Sequence, residues 1–216
     1  MRAIGEKMKA TLVLISICII VFAYEVFFAP PTFFDDFGFS GQNLFSRPYV
    51  LLTSIFMHAD LTHILSNIAV LFFFGIAVEK ELGMKKMLLI FFLGAFAGDM
   101  LSLVFYPFDS ISIGASAGIF GLIGVGMIVK PLDLSLYPLI IPIPLALLGI
   151  IYAFYNTIGF ITGQPPDVSY VGHFGGLFAG LTFGVKREGW RRALTILIVM
   201  FMIMLIIPFA LIAMSI

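Results

Sequence analysis

Apolar residues run along this chain in seven blocks, at about 10–29, 59–79, 86–106, 115–130, 137–160, 170–185 and 192–214, separated by polar or charged turns. A membrane-crossing helix needs ~20 consecutive apolar residues, fewer where protein surrounds it. Backbone N–H and C=O groups find no water inside a bilayer, so helices are the only spanning elements this pattern allows. The blocks at 115–130 and 170–185 are short and glycine-rich, which predicts central helices shielded by the others. The segment 30–57 carries Pro30, Pro31, Asp35, Asp36, Gly38, Gly41 and Pro48. It is too long for a simple connector and reads as a loop that packs on the bundle or inserts partly. The expected fold is an all-α membrane protein, a polytopic helical bundle forming one domain over 1–216. Its core covers about 10–186, with an additional C-terminal span at about 192–214.

Composition strengthens this reading. Of 216 residues, 61% are hydrophobic and 11% charged, more apolar surface than a soluble globule of this size hides. The first block is long, lacks an A-x-A cleavage pattern and is followed by further spans, so it reads as a retained helix rather than a signal peptide. Twelve basic residues balance twelve acidic ones, and no basic excess points to nucleic acid. The single cysteine, Cys18, excludes an internal disulfide and any cysteine-based metal site.

Charge also gives the bundle a direction. With a cytoplasmic N-terminus and seven alternating spans, the inside receives Arg2, Lys7, Lys9, Lys80, Lys85, Lys86, Lys130, Lys186, Arg187, Arg191 and Arg192. The outside receives only Arg47. That asymmetry predicts a cytoplasmic N-terminus and an external C-terminus.

Polar residues inside the spans carry the chemistry, because an ionisable group in a bilayer is costly. Gly114-Ala115-Ser116-Ala117-Gly118 opens the fourth span. By letter it matches the G-x-S-x-G nucleophile elbow, but that elbow needs a preceding strand in a soluble α/β sheet. What remains is a serine at a helix N-terminus, where free N–H groups favour developing negative charge. The alternative is a serine that simply caps its helix. His173 sits in Gly172-His173-Phe174-Gly175-Gly176, and positions 173, 176, 180 and 184 share one helical face. A histidine is the usual base for a serine, and the glycines form a stripe for close helix contact. A purely structural histidine is the alternative there.

His58, Asp60, His63 and Asn67 cluster at the start of the second span. His63 and Asn67 are one turn apart on one face and are suited to donate to an oxyanion. The spacing lacks the His-Glu-x-x-His zinc pattern, so neither metal nor cofactor is expected. Glu79, Lys80 and Glu81 read as solvated markers of the cytoplasmic boundary. Glu25, near the outer end of span one, reads as snorkelling or bonding to the loop. Asp99 in span three reads as part of an ion pathway or, preferably, as bonded to a neighbour's polar groups. On the predicted topology Ser116, His173 and His63 all lie near external helix ends, where they can converge within reach of water.

With these motifs in order, the chain resembles the rhomboid intramembrane serine proteases. The resemblance rests on His63-x-x-x-Asn67, Gly114-x-Ser116 and Gly172-His173-Phe174-Gly175-Gly176-x-x-x-Gly180, and covers roughly 40–186. It implies a six-helix core plus one C-terminal helix and a serine–histidine dyad rather than a triad. Ser116 would be nucleophile and His173 base, and His63, Asn67 and the Ser116 N–H would form an oxyanion hole. Gly114, Ala117, Phe120 and His58 would support the site, Phe120 by packing on the histidine. The chain departs from the family at Ala117, where glycine is usual, and at Tyr49-Val50, where many members carry Trp-Arg. The implied substrates are transmembrane segments of membrane proteins, cut near the outer face of the cell membrane. Two rivals follow from the same residues: an inactive family member that escorts membrane clients, and a transporter using Asp99 and Glu25.

Overall fold

Each of the seven apolar blocks folds as a helix in the computed structural model, which describes residues 8–133, 144–165 and 167–214, with last-helix side chains described to residue 203. They are α1 (Lys9–Phe27), α5 (Leu61–Leu82), α6 (Met84–Phe105), α7 (Ser116–Val129), α8 (Leu145–Thr162), α9 (Tyr170–Glu188) and α10 (Trp190–Met214). The first loop adds three short helices, α2 (Phe33–Phe37), α3 (Gly41–Ser46) and α4 (Val50–Thr53). Residues 137–143 of the fifth predicted block, and Arg2 and Lys7 of the charge pattern, lie outside the described residues. Among the described residues only an isolated bridge, Phe39 with Ser112, has β geometry. Helices α1, α5, α6 and α8 are long and apolar enough to cross a membrane by length and composition, while α7 is a shorter apolar helix.

The bundle is organised around α7, which packs against α5, α6, α8 and α9. Every residue from Gly118 to Val129 is buried, as a short glycine-rich span shielded by its neighbours should be. Helix α9 is central on one face only: its glycines are buried, while Phe178 is 73% exposed. The predicted stripe does bring backbones together. A Cβ on Gly176 or Gly180 would overlap the carbonyl oxygens of Ala117 and Gly121, and one on Gly124 would lie 2.5 Å from the Leu177 oxygen. Glycine is required here because the neighbouring atoms are backbone and have no rotamer to yield.

Two features hold the periphery to this core. Glu79, expected in solvent, is instead 3% exposed. Its carboxylate accepts the Ala10 and Thr11 N–H groups at 2.9 and 2.8 Å and the Thr11 hydroxyl at 2.7 Å. These backbone donors belong to the first turn of α1, where no intrahelical acceptor exists. The acidic group therefore caps a helix far away in sequence and favours its positive end. Glu81 is the boundary charge, bridging Lys130 at 3.2 Å and Arg187 at 3.6 Å.

The loop 30–57 is the second feature, and it packs as an ordered unit. Ser40 caps α3 by accepting the Asn43 N–H, Asn43 donates to the Asp35 and Gly38 carbonyls, and Thr53 donates to the Phe37 carbonyl at 2.7 Å. Phe39, 1% exposed, pairs its backbone with Ser112 in both directions. Ser54 accepts the Gly114 N–H at 2.8 Å. The loop thereby fixes the strand of chain that leads into α7. Its outer surface keeps Phe45 at 81% and Leu52 at 50% exposure, apolar faces of the kind a bilayer accepts.

Candidate active site

The chain before Ser116 turns at Gly114, whose φ of +113° lies in the region side chains rarely adopt. A Cβ there would also sit 2.8 Å from His63 Nε2. Backbone conformation and the neighbouring ring thus both demand glycine, and the His63 ring edge rests against Gly114. Ser116 then begins α7. Ala115, not Ser116, occupies the cap position, and no side-chain cap hydrogen bond forms there among the described residues. The Ser116 hydroxyl faces another helix.

That helix is α9. Ser169 caps it by accepting the Gly172 N–H, and His173 stands in its first turn. His173 Nε2 lies 2.8 Å from Ser116 Oγ. The Phe120 ring, one turn beyond Ser116, stacks on the imidazole at 4.4 Å and 10°. Tyr170 meets the same ring edge-on at 6.4 Å. On the far side, His173 Nδ1 lies 2.7 Å from Asn156 Oδ1 on α8. Asn156 is 1% exposed, and its Nδ2 donates to the Tyr170 carbonyl at 3.1 Å.

Asn156 is absent from the sequence-derived site. The available signal was an amide inside the apolar run Leu145–Thr162, overlooked because it carries no charge. Asn156 adds a third side chain behind the Ser116–His173 contact.

Ala117 fits its glycine-like position because its methyl group faces Gly98, where a Cβ would come within 2.6 Å. Gly98 also lies under the Gly172 carbonyl, at 2.5 Å from the same Cβ position.

Asp60 caps α5 by accepting the His63 N–H at 2.8 Å. Asn67, one turn on and 7% exposed, donates from Nδ2 to the His63 carbonyl at 2.9 Å. Because an amide nitrogen carries two hydrogens, one donor remains. The structure thus joins Ser116, His173, Phe120 and Asn156 directly, and brings His63 to Gly114. Asn67 has no hydrogen bond to Ser116 or His173 among the described residues.

His58 is fully buried beneath His63, the two rings 5.0 Å apart. Its backbone N–H donates to the Glu25 carboxylate at 3.3 Å, so of the two readings for Glu25 the bond to the chain at the end of the loop is the one found. Its Nδ1 donates to the Phe56 carbonyl at 3.1 Å. Burial, with His63 second, pushes the His58 imidazole down to about 4. The group is a neutral packing element behind the site. Asp99 is 8% exposed, and its Oδ2 has no hydrogen-bond partner among the described residues. The favoured expectation of a polar partner is not met for that oxygen.

Residues 46–190 match the Rhomboid domain family. The chain belongs to the rhomboid family. The matched stretch contains α5 to α9 and every residue of the site just described. Among rhomboid relatives, the chain is 33% identical over 134 residues to RHOMBOID-like protein 1 of Arabidopsis thaliana, covering 62% of this chain and 33% of that protein. It is 30% identical over 150 residues to RHOMBOID-like protein 2 of the same plant, covering 67% and 45%. Rhomboid-like protease 3 of Toxoplasma gondii is 35% identical over 74 residues, covering 34% and 28%. The chain spans less than half the length of each of these relatives.

Proposed function

We propose that this rhomboid protein is an intramembrane serine endopeptidase that hydrolyses peptide bonds in or beside transmembrane segments of other membrane proteins. The observation that carries the reading is the 2.8 Å contact between Ser116 Oγ and His173 Nε2 at the ends of two tightly packed helices. Its imidazole is held by an aromatic stack. A protease-named relative in the same family supports it.

In this reading His173 Nε2 takes the Ser116 proton as Oγ attacks the scissile carbonyl carbon. The carbonyl oxygen becomes an oxyanion. The Ser116 N–H, first in α7 and without an intrahelical acceptor, donates to it together with His63 and the remaining Asn67 hydrogen. Preorganised donors aimed at developing charge are each worth ~3 kcal/mol in the barrier. The imidazolium then protonates the leaving amine, and the acyl group stays on Oγ. Water, deprotonated by His173, attacks the ester and releases the second product. Gly114 and Ala117 keep the backbone in place, while Phe120 and His58 back the two histidine rings. No cofactor or metal takes part.

Helical peptide bonds are shielded by their own hydrogen bonds, so a substrate span must unwind locally before attack. Small or helix-weakening residues near the cleaved bond are favoured for that reason. The charge asymmetry supports a cytoplasmic N-terminus and an external C-terminus; in this reading the membrane is the cell membrane and 1–216 form one domain. Ser116, His173 and His63, each at the start of a helix, then open to the external side. Cleavage of a transmembrane reporter in liposomes tests the reading: Ser116→Ala abolishes it, and undiminished turnover by that variant contradicts it.

A further inference from the structure

We propose that Asn156 is a positioning residue that locks His173 in the tautomer able to take a proton from Ser116, making the unit Ser116–His173–Asn156. Hydrogen-bond donors and acceptors around the amide fix its orientation. A side-chain amide has one accepting end and one donating end. The Asn156 amide faces a backbone carbonyl, Tyr170 O, at 3.1 Å on one side and an imidazole nitrogen at 2.7 Å on the other. A carbonyl only accepts, so Nδ2 must face it and Oδ1 must face His173. At 2.7 Å an accepting oxygen requires a donor, so Nδ1 carries the hydrogen. Neutral imidazole has one N–H. Nε2 therefore presents its lone pair to Ser116 Oγ, 2.8 Å away, and the hydroxyl donates.

The packing is built to hold this amide in place. Asn156 is 1% exposed, so water does not replace either bond. Gly159, one turn along α8, takes the Tyr170 ring, whose Cζ would lie 2.5 Å from a Cβ at that position. Tyr170 in turn donates its hydroxyl to the Pro165 carbonyl at 3.0 Å. The start of α9 is thus seated on α8 by a ring in a glycine notch, and Asn156 reaches His173 from that seat. A buried amide bridging a carbonyl and an imidazole fixes ring rotation as well as tautomer. Once His173 accepts the proton, Oδ1 still accepts from Nδ1–H and stabilises the imidazolium.

The kinetic part rests on the protease reading, whereas the tautomer does not. The chain has three histidines, so ¹⁵N-histidine labelling of the full chain in detergent micelles gives a spectrum that His173→Gln assigns by subtraction. The expected result is a pyrrole-type Nδ1 and a pyridine-type Nε2 for His173; an Nε2–H tautomer overturns the proposal. On a transmembrane reporter, Asn156→Leu should lower kcat by about 100-fold with KM little changed, the size expected of a ring free to misalign. Asn156→Asp, which keeps an acceptor for Nδ1, should recover most of the loss. Wild-type kcat in Asn156→Leu also overturns the proposal. Turnover persisting in Ser116→Ala instead overturns the protease reading, and the wild-type spectrum then still decides the role of Asn156.

Discussion

Replacing Glu79 by glutamine keeps the shape of the side chain and removes one acceptor from a buried cap. The carboxylate accepts three donors, Ala10 N–H, Thr11 N–H and the Thr11 hydroxyl, at 2.9, 2.8 and 2.7 Å. The glutamine oxygen can take both Thr11 donors. Its NH2 then faces the Ala10 N–H, donor against donor. Ala10 and Thr11 are 4% and 0% exposed, so water cannot step in. One orphaned buried donor costs about 1–3 kcal/mol, and the lost charge at the α1 N-terminus about another 1. Glu79→Gln should therefore destabilise the bundle by roughly 2–4 kcal/mol. Equilibrium unfolding by SDS titrated into mild-detergent micelles, followed by fluorescence of the single tryptophan, Trp190, measures this. Glu81→Gln is the control: its ion pairs are partly exposed, so it should cost less than about 1 kcal/mol. Equal losses in the two variants, or a Glu79→Gln loss within about 0.5 kcal/mol of zero, would refute the cap.

Gly114→Ala should cost about 2 kcal/mol in the same unfolding assay, since it forces a side chain to a φ of +113° and places a Cβ 2.8 Å from His63 Nε2; cleavage should fall with it. Gly124→Ala should cost about 1–3 kcal/mol, because its Cβ would lie 2.5 Å from the Leu177 oxygen and 2.8 Å from the Leu181 nitrogen. Gly126→Ala, whose nearest neighbours are side-chain ends at 3.2 Å and beyond, should be close to neutral. His58 has its folded pKa depressed from 6.5 to about 4, so the unfolded chain binds the proton first as pH falls. Stability should be undiminished by this group above pH 6.5 and decline by up to ~1.4 kcal/mol per pH unit towards pH 4. Unfolding curves of wild type and His58→Gln between pH 7 and 4 check the slope, which should flatten in the variant.

The seven helices were legible because a bilayer imposes one rule, an unbroken apolar run, and the runs are separated by charges or prolines. Ser116 and His173 stood out as polar residues among glycines at helix starts, and His63 stood out by its one-turn spacing to Asn67. Glu79 was misread for a physical reason: an acid beside Lys80 at a helix end looks solvated, and its partner is a helix start whose donors are ordinary backbone. Asn156 was missed because uncharged amides are cheaper in apolar surroundings than ionisable groups, and so draw less notice. The first loop's fold was hidden as well. It depends on side chains such as Asn43 and Thr53 bonding to particular carbonyls, which no periodicity encodes. Ala117 became intelligible only with Gly98 beside it.

In the proposed function Ser116 and His173 together break peptide bonds within the membrane. Labelling of the detergent-solubilised or liposome-embedded protein by a fluorophosphonate, run beside cleavage of a transmembrane reporter, tests it most directly. The expected result is labelling and cleavage in the wild type and loss of both in Ser116→Ala and in His173→Ala, with each variant still folded by SDS titration. Labelling or turnover that survives in either variant would contradict it.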